Sequence, residues 1–83
     1  MAGDTDSALM RALLAELDHR SREASESADG LAAAASDHDR WGLAQEADAL
    51  RRSARHHQVS ALLYASNAEA WRARLGAERR AGP

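Results

Sequence analysis

The chain contains no cysteine, phenylalanine, isoleucine or lysine. Without cysteine, disulfides, thiol catalysis and thiolate-bound zinc are excluded. Only Thr5 and Val59 are β-branched. Strands are built mainly from β-branched and aromatic residues, and aromatics make up 4% of this chain, so a sheet is excluded as well. No stretch approaches the roughly 20 apolar residues that span a bilayer. The first residues, Met1-Ala2-Gly3-Asp4, are acidic and carry no apolar run of the signal-peptide kind. There is no Gly-rich phosphate loop and no Ser/His/Asp array, so no enzymatic activity is expected. No cofactor is expected either.

What remains is a short, alanine-rich chain. Its 83 residues include 21 Ala and 10 Leu. Length and composition together predict one all-α domain with a small core, of a size that often needs a partner. The net charge of −2 gives no strong pull toward nucleic acid or membrane. The charge is nevertheless divided. Residues 1–50 carry 4 Arg against 11 acidic residues, and residues 51–83 carry 7 Arg against 2.

Two seven-residue patterns organise the chain. In residues 7–35 one row is Met10, Leu17, Ala24, Leu31 and the other is Leu14, Ser21, Ala28, Ala35. Leu9 and Leu13 widen this stripe. In residues 43–75 the rows are Leu43, Leu50, His57, Tyr64, Trp71 and Ala47, Ala54, Ala61, Ala68, Leu75. Sustained 3-4 spacing marks a coiled-coil-like seam. The repeated Ala lets two helix backbones approach closely, because no side chain holds them apart.

The two frames do not match, so the helical phase breaks between about 36 and 42. Ser36-Asp37-His38-Asp39 compete with helical hydrogen bonds, and they place the turn there. Gly30 is a competing weak point, but it lies off the seam. The expected architecture is an antiparallel helical hairpin. It has a polar lead over 1–6, a first helix over 7–35 capped by Asp6 or Ser7, a turn over 36–39, a second helix over 39–79 and a tail over 80–83. An acidic first helix would lie beside a more basic second one.

A two-helix hairpin with an Ala seam buries little area and is marginal alone. Extra apolar residues suggest how it is completed. Val59, Leu62 and Leu63 lie off the seam of the second helix, which is apolar nearly all round over 57–66. With the turn near 37–38, Trp71 and Leu75 would overhang the first helix. These five residues are the expected protein interface. Self-association as an antiparallel four-helix bundle homodimer, or pairing with another helical protein, would cover them. The expected role is a non-enzymatic interaction module, such as an adaptor, regulator or accessory subunit, resident in the cytoplasm.

The second reading is a metal- or cofactor-binding bundle. Glu16-x-x-His19 has the ligand spacing of di-iron carboxylate bundles. His57 replaces an apolar residue in the seam and needs a partner there, either Ser21, Ser53, a carboxylate or a metal. Counting back from the expected turn puts His56 and His57 level with residues 18–19. Glu16, His19, His56 and His57 are thus the candidate ligands. A third reading is nucleic-acid binding through two Arg clusters, one at Arg51, Arg52 and Arg55 and one at Arg72, Arg74, Arg79 and Arg80. The negative total charge and the splitting of the clusters around the helix weigh against it.

Trp41-Gly42 lies midway along the chain, beside the expected turn. In this placement, and in hairpin length, the chain resembles the small secreted Trp-x-Gly (WXG-type) helical hairpins, which carry that motif in their turn and pair into four-helix bundles. The resemblance implies a hairpin of the same kind exported without a signal peptide. The chain departs from the pattern in two ways: Trp41 and Gly42 are adjacent, and Tyr64 is followed at position 68 by Ala rather than an acidic residue.

Overall fold

The computed structural model describes residues 2–81 of the chain. They form two helices, α1 (Ala2–Arg40) and α2 (Ala44–Ala81), packed against each other as a hairpin. No strand occurs among the described residues, as the scarcity of β-branched residues requires. The hairpin is a rod, 64 × 18 × 12 Å between Cα extents. Neither helix is long and apolar enough to cross a membrane.

The turn lies beyond its expected place, at Trp41-Gly42-Leu43 rather than 36–39. Its chemistry explains the correction. Gly42 adopts φ +78°, the left-handed conformation that L-residues with a Cβ avoid. The Gly42 amide donates to the Asp39 carbonyl at 3.1 Å, and the Leu43 amide donates to the His38 carbonyl at 2.8 Å. These two bonds make a Schellman cap, which satisfies carbonyls left unpaired at the helix end. Ser36-Asp37-His38-Asp39 stay helical, and the polar side chains of Asp37, His38 and Asp39 bond elsewhere. The ring Nδ1 of His38 donates to the Ala34 carbonyl at 2.8 Å. Asp37 pairs with Arg40, and Asp39 reaches across the turn to Arg51. Gly30 is passed without interruption, in open space on the outer face.

The displaced turn also corrects the ends. The two helices have 39 and 38 residues, so each has a partner along its whole length. The expected lead is helical from Ala2, and Asp6 and Ser7 lie within α1 instead of capping it. Packing against the end of α2 stabilises that first stretch: Ser7 and Arg11 share a groove with Leu75, Glu78 and Arg79. The second helix begins at Ala44 rather than 39, and its helical structure runs on past 79 to Ala81. Met1, Gly82 and Pro83, the outer parts of the expected lead and tail, lie outside the described residues.

The seam follows the two heptad patterns. Every expected seam position is buried or half-buried except Leu43, which is 40% exposed because it serves as the turn. Among the described residues the buried ones are all alanine: Ala24, Ala28, Ala35, Ala47, Ala54 and Ala68. No larger side chain is fully buried among the described residues. The Ala rows sit at the line of contact, and Met10, Leu14, Leu17, Leu31, Leu50, Tyr64 and Trp71 flank it half-buried. Leu9 and Leu13 do not widen the buried stripe as expected; they are 64% and 41% exposed. A contact between small residues covers only a narrow strip on either side.

Polar links fix the register. The Ser21 hydroxyl donates to the Ala61 carbonyl across the seam at 3.1 Å. Asp18 pairs with Arg72 and Asp39 with Arg51, one link in the lower half of the rod and one beside the turn. The division of charge between the two halves of the sequence is thus expressed as ion pairs between the helices.

Candidate functional site

The turn position sets which residues face each other. With the turn at 41–43, His57 lies level with the stretch from Ala24 to Ser27. His56 and His57 share an open groove of about 330 Å³ with Arg20, Glu23, Ser27, Ser60 and Tyr64. The expected layer containing Glu16, His19, His56 and His57 therefore does not form. At 1.5 Å per residue, His19 lies about two turns from the level of His57.

Each of these four residues has a local role. Glu16 accepts from Arg20 at 2.9 Å, and His19 lies 3.1 Å from Glu23. Both are i,i+4 pairs on the exposed surface of α1, the commonest use of charged residues on a helix. The bond to Glu16, and then the neighbouring Tyr64, raise the Arg20 guanidinium above its ordinary pKa. The ring Nδ1 of His57 donates to the Ser53 carbonyl at 2.9 Å, one turn back in its own helix. A carbonyl only accepts, so this bond puts the proton on Nδ1 and leaves Nε2 as the acceptor of the neutral ring. His57 therefore finds its partner at Ser53, as one sequence reading anticipated, but through the backbone and within one helix. It sets no register; Ser21 does that. The rings of His56 and His57 stand edge to face, with centroids 5.9 Å apart. Among the described residues no three histidine or carboxylate side chains converge in the manner a metal ion needs.

Of the seven clustered arginines, three have partners among the described residues. Arg51 bonds Asp39 and Asp48, Arg72 bonds Asp18, and the Arg74 guanidinium stacks 5.0 Å from the Trp71 ring centroid. These contacts scatter the cations around the rod instead of lining them along one face.

The apolar surface is divided differently from the expectation. Trp71 and Leu75 do not overhang. Both are half-buried along the seam, because α1 extends back to Ala2 and lies beside them. Val59, Leu62 and Leu63 are 55%, 70% and 63% exposed. At 100° per residue Val59 and Leu63 lie about 160° around α2 from the Ala row and Leu62 about 100°. Trp41, which the sequence placed beside the turn but not among the interface residues, is 66% exposed and rests its ring 5.2 Å from that of His38 at the tip of the rod. The signal was available: Gly after the last periodic residue is a helix-stop mark, and Trp41 precedes it.

The rod shape leaves much surface open. The chain exposes 6083 Å², whereas a compact globular protein of its mass exposes about 4,800 Å². Set against known protein families, characterised proteins and solved structures, the chain matches none. The likeness to the Trp-x-Gly hairpins rests on hairpin length and on the placement of Trp41 and Gly42 between two long helices.

Proposed function

We propose that this chain is a non-enzymatic protein–protein interaction module of the cytoplasm, acting through a four-helix assembly. The observation that carries this reading is the position of Val59, Leu62 and Leu63. The seam is closed by alanine, so these large side chains have no place inside the hairpin and stand on its outer face. Grouped exposed apolar side chains on a small protein mark contact surfaces. The thin core points the same way. Six buried Ala methyls at about 0.8 kcal/mol each stabilise weakly against the ordering of two long helices. Association adds the burial that the isolated hairpin lacks.

Sedimentation and native mass spectrometry of the untagged protein over a range of concentrations test this. The expected result is a species of at least twice 8.9 kDa that dissociates on dilution. A species of 8.9 kDa at every concentration, with no helical partner recovered, refutes it. The same spectra report bound metal. Stoichiometric metal would replace this reading with one centred on Nε2 of His57.

A further inference from the structure

The outer face of α2 has a pattern of its own. Asp48, Arg55, Leu62 and Glu69 recur at every seventh position, and Arg52, Val59, Ser66 and Ala73 form the row beside them. All eight are exposed. Val59, Leu62 and Ala73 are apolar and the other five are charged or polar, so this face of the helix, turned away from the first seam, is an apolar spot flanked by charges. Among the described residues, neither Arg55 nor Glu69 takes part in an ion pair within the chain.

We infer that this face binds a second copy of the chain, with the two α2 helices antiparallel about a two-fold axis at Leu62. This rests on the interaction-module reading and names its partner and its geometry. The charges select the arrangement. Leu62 and Arg55 are seven residues apart, as are Leu62 and Glu69. An antiparallel pair centred on Leu62 sets Leu62 against Leu62 of the second copy and Arg55 against Glu69 of the second copy, twice over. Val59 and Leu63 pack beside the centre. A parallel pair would set Arg52, Arg55 and Glu69 each against its own kind, which is destabilising. The two-fold arrangement also needs only one patch, complementary to itself.

The rod shape leaves surface to cover. The rod exposes roughly 1,300 Å² more than a compact protein of its mass, and a standard interface covers about 800 Å² on each partner. The two α2 helices become the inner pair of a four-helix layer, and the α1 helices lie outside. This accounts for the apolar character of α2 on both of its sides over residues 57–66.

The absence of cysteine makes the test direct, since an introduced thiol is the only one present. Leu62→Cys places two thiols at the two-fold axis. Glu26→Cys, on the exposed outer face of α1, is the control. Under mild oxidation Leu62→Cys is expected to form a disulfide dimer at least about tenfold faster than Glu26→Cys, because the assembly raises the local thiol concentration. Arg55→Glu is expected to weaken self-association about tenfold by replacing both ion pairs with like charges, and adding Glu69→Arg is expected to restore it. An assembly in which Leu62→Cys cross-links no faster than Glu26→Cys, or in which the charge swap gives no rescue, overturns this geometry and leaves the interaction-module reading intact. A chain that is monomeric by sedimentation overturns this inference, and if no helical partner is recovered either, the interaction-module reading falls with it.

Discussion

Replacing Ala47 by leucine tests the central structural argument, that alanine is required at the seam for close helix contact. Ala47 is 0% exposed and lies one turn beyond Leu43, whose carbonyl accepts the Ala47 amide at 2.9 Å. Leucine adds three carbons. If the seam had room, their burial would stabilise the hairpin by about 2.4 kcal/mol, at about 0.8 kcal/mol per methylene. If the backbones are in contact through the Ala row, the added carbons overpack it and cost about 1–3 kcal/mol. The two arguments differ in sign, so the measurement decides between them. The turn holds the helices together near Ala47, which prevents relief by splaying. Ala68, also 0% exposed, lies in the open half of the rod. Ala68→Leu should therefore cost less than Ala47→Leu. Ala33→Leu, on the exposed face of α1, should change stability by no more than about 0.5 kcal/mol. For a domain of this size the Ala47→Leu penalty corresponds to a fall in Tm of about 5–20 °C. Thermal and urea unfolding followed by helical circular dichroism report it, at one fixed protein concentration because assembly adds apparent stability. A rise in Tm for Ala47→Leu, or a shift equal to that of Ala33→Leu, would refute the close-contact argument.

Three further outcomes are expected. Gly42→Ala should destabilise by about 1 kcal/mol through backbone strain alone, since a Cβ there meets nothing within 4 Å; Gly30→Ala, equally uncrowded but helical, should stabilise by up to about 1 kcal/mol, and both are read by urea midpoints. A double-mutant cycle on Asp18 and Arg72 should give a coupling below about 1 kcal/mol that fades in molar salt, because the pair is partly exposed; a larger, salt-resistant value would contradict this. Trp71→Ala should lower the stability of the hairpin by about 2 kcal/mol, less than for a fully buried Trp, whereas Leu62→Ala should leave intrachain stability within about 0.5 kcal/mol; equal effects would show that Trp71 is not part of the seam.

The heptad rows were legible because helical periodicity is a property of the sequence itself. Met10 to Ala35 and Leu50 to Leu75 lie along the contact as their spacing requires. Leu43 alone departs, as the residue that closes the turn. The turn was harder to read. Ser36-Asp37-His38-Asp39 have strong capping preferences, but Arg40, Arg51 and the Ala34 carbonyl engage Asp37, Asp39 and His38, and a single left-handed Gly42 decides the matter. That shift of a few residues changed the candidate site. It separated Glu16 and His19 from His56 and His57, and it gave Trp71 and Leu75 a place beside α1.

The sequence by itself determined the helical class, the hairpin and its alanine seam, and it marked Val59, Leu62 and Leu63 as surplus to that seam. Those are consequences of local composition and a short-range period, which need no knowledge of distant contacts. Only the tertiary structure decided the register, the partners of the histidines and the division of apolar residues between seam and outer face. Each of these depends on which residues stand opposite one another, and in an antiparallel hairpin that is fixed by where the chain reverses.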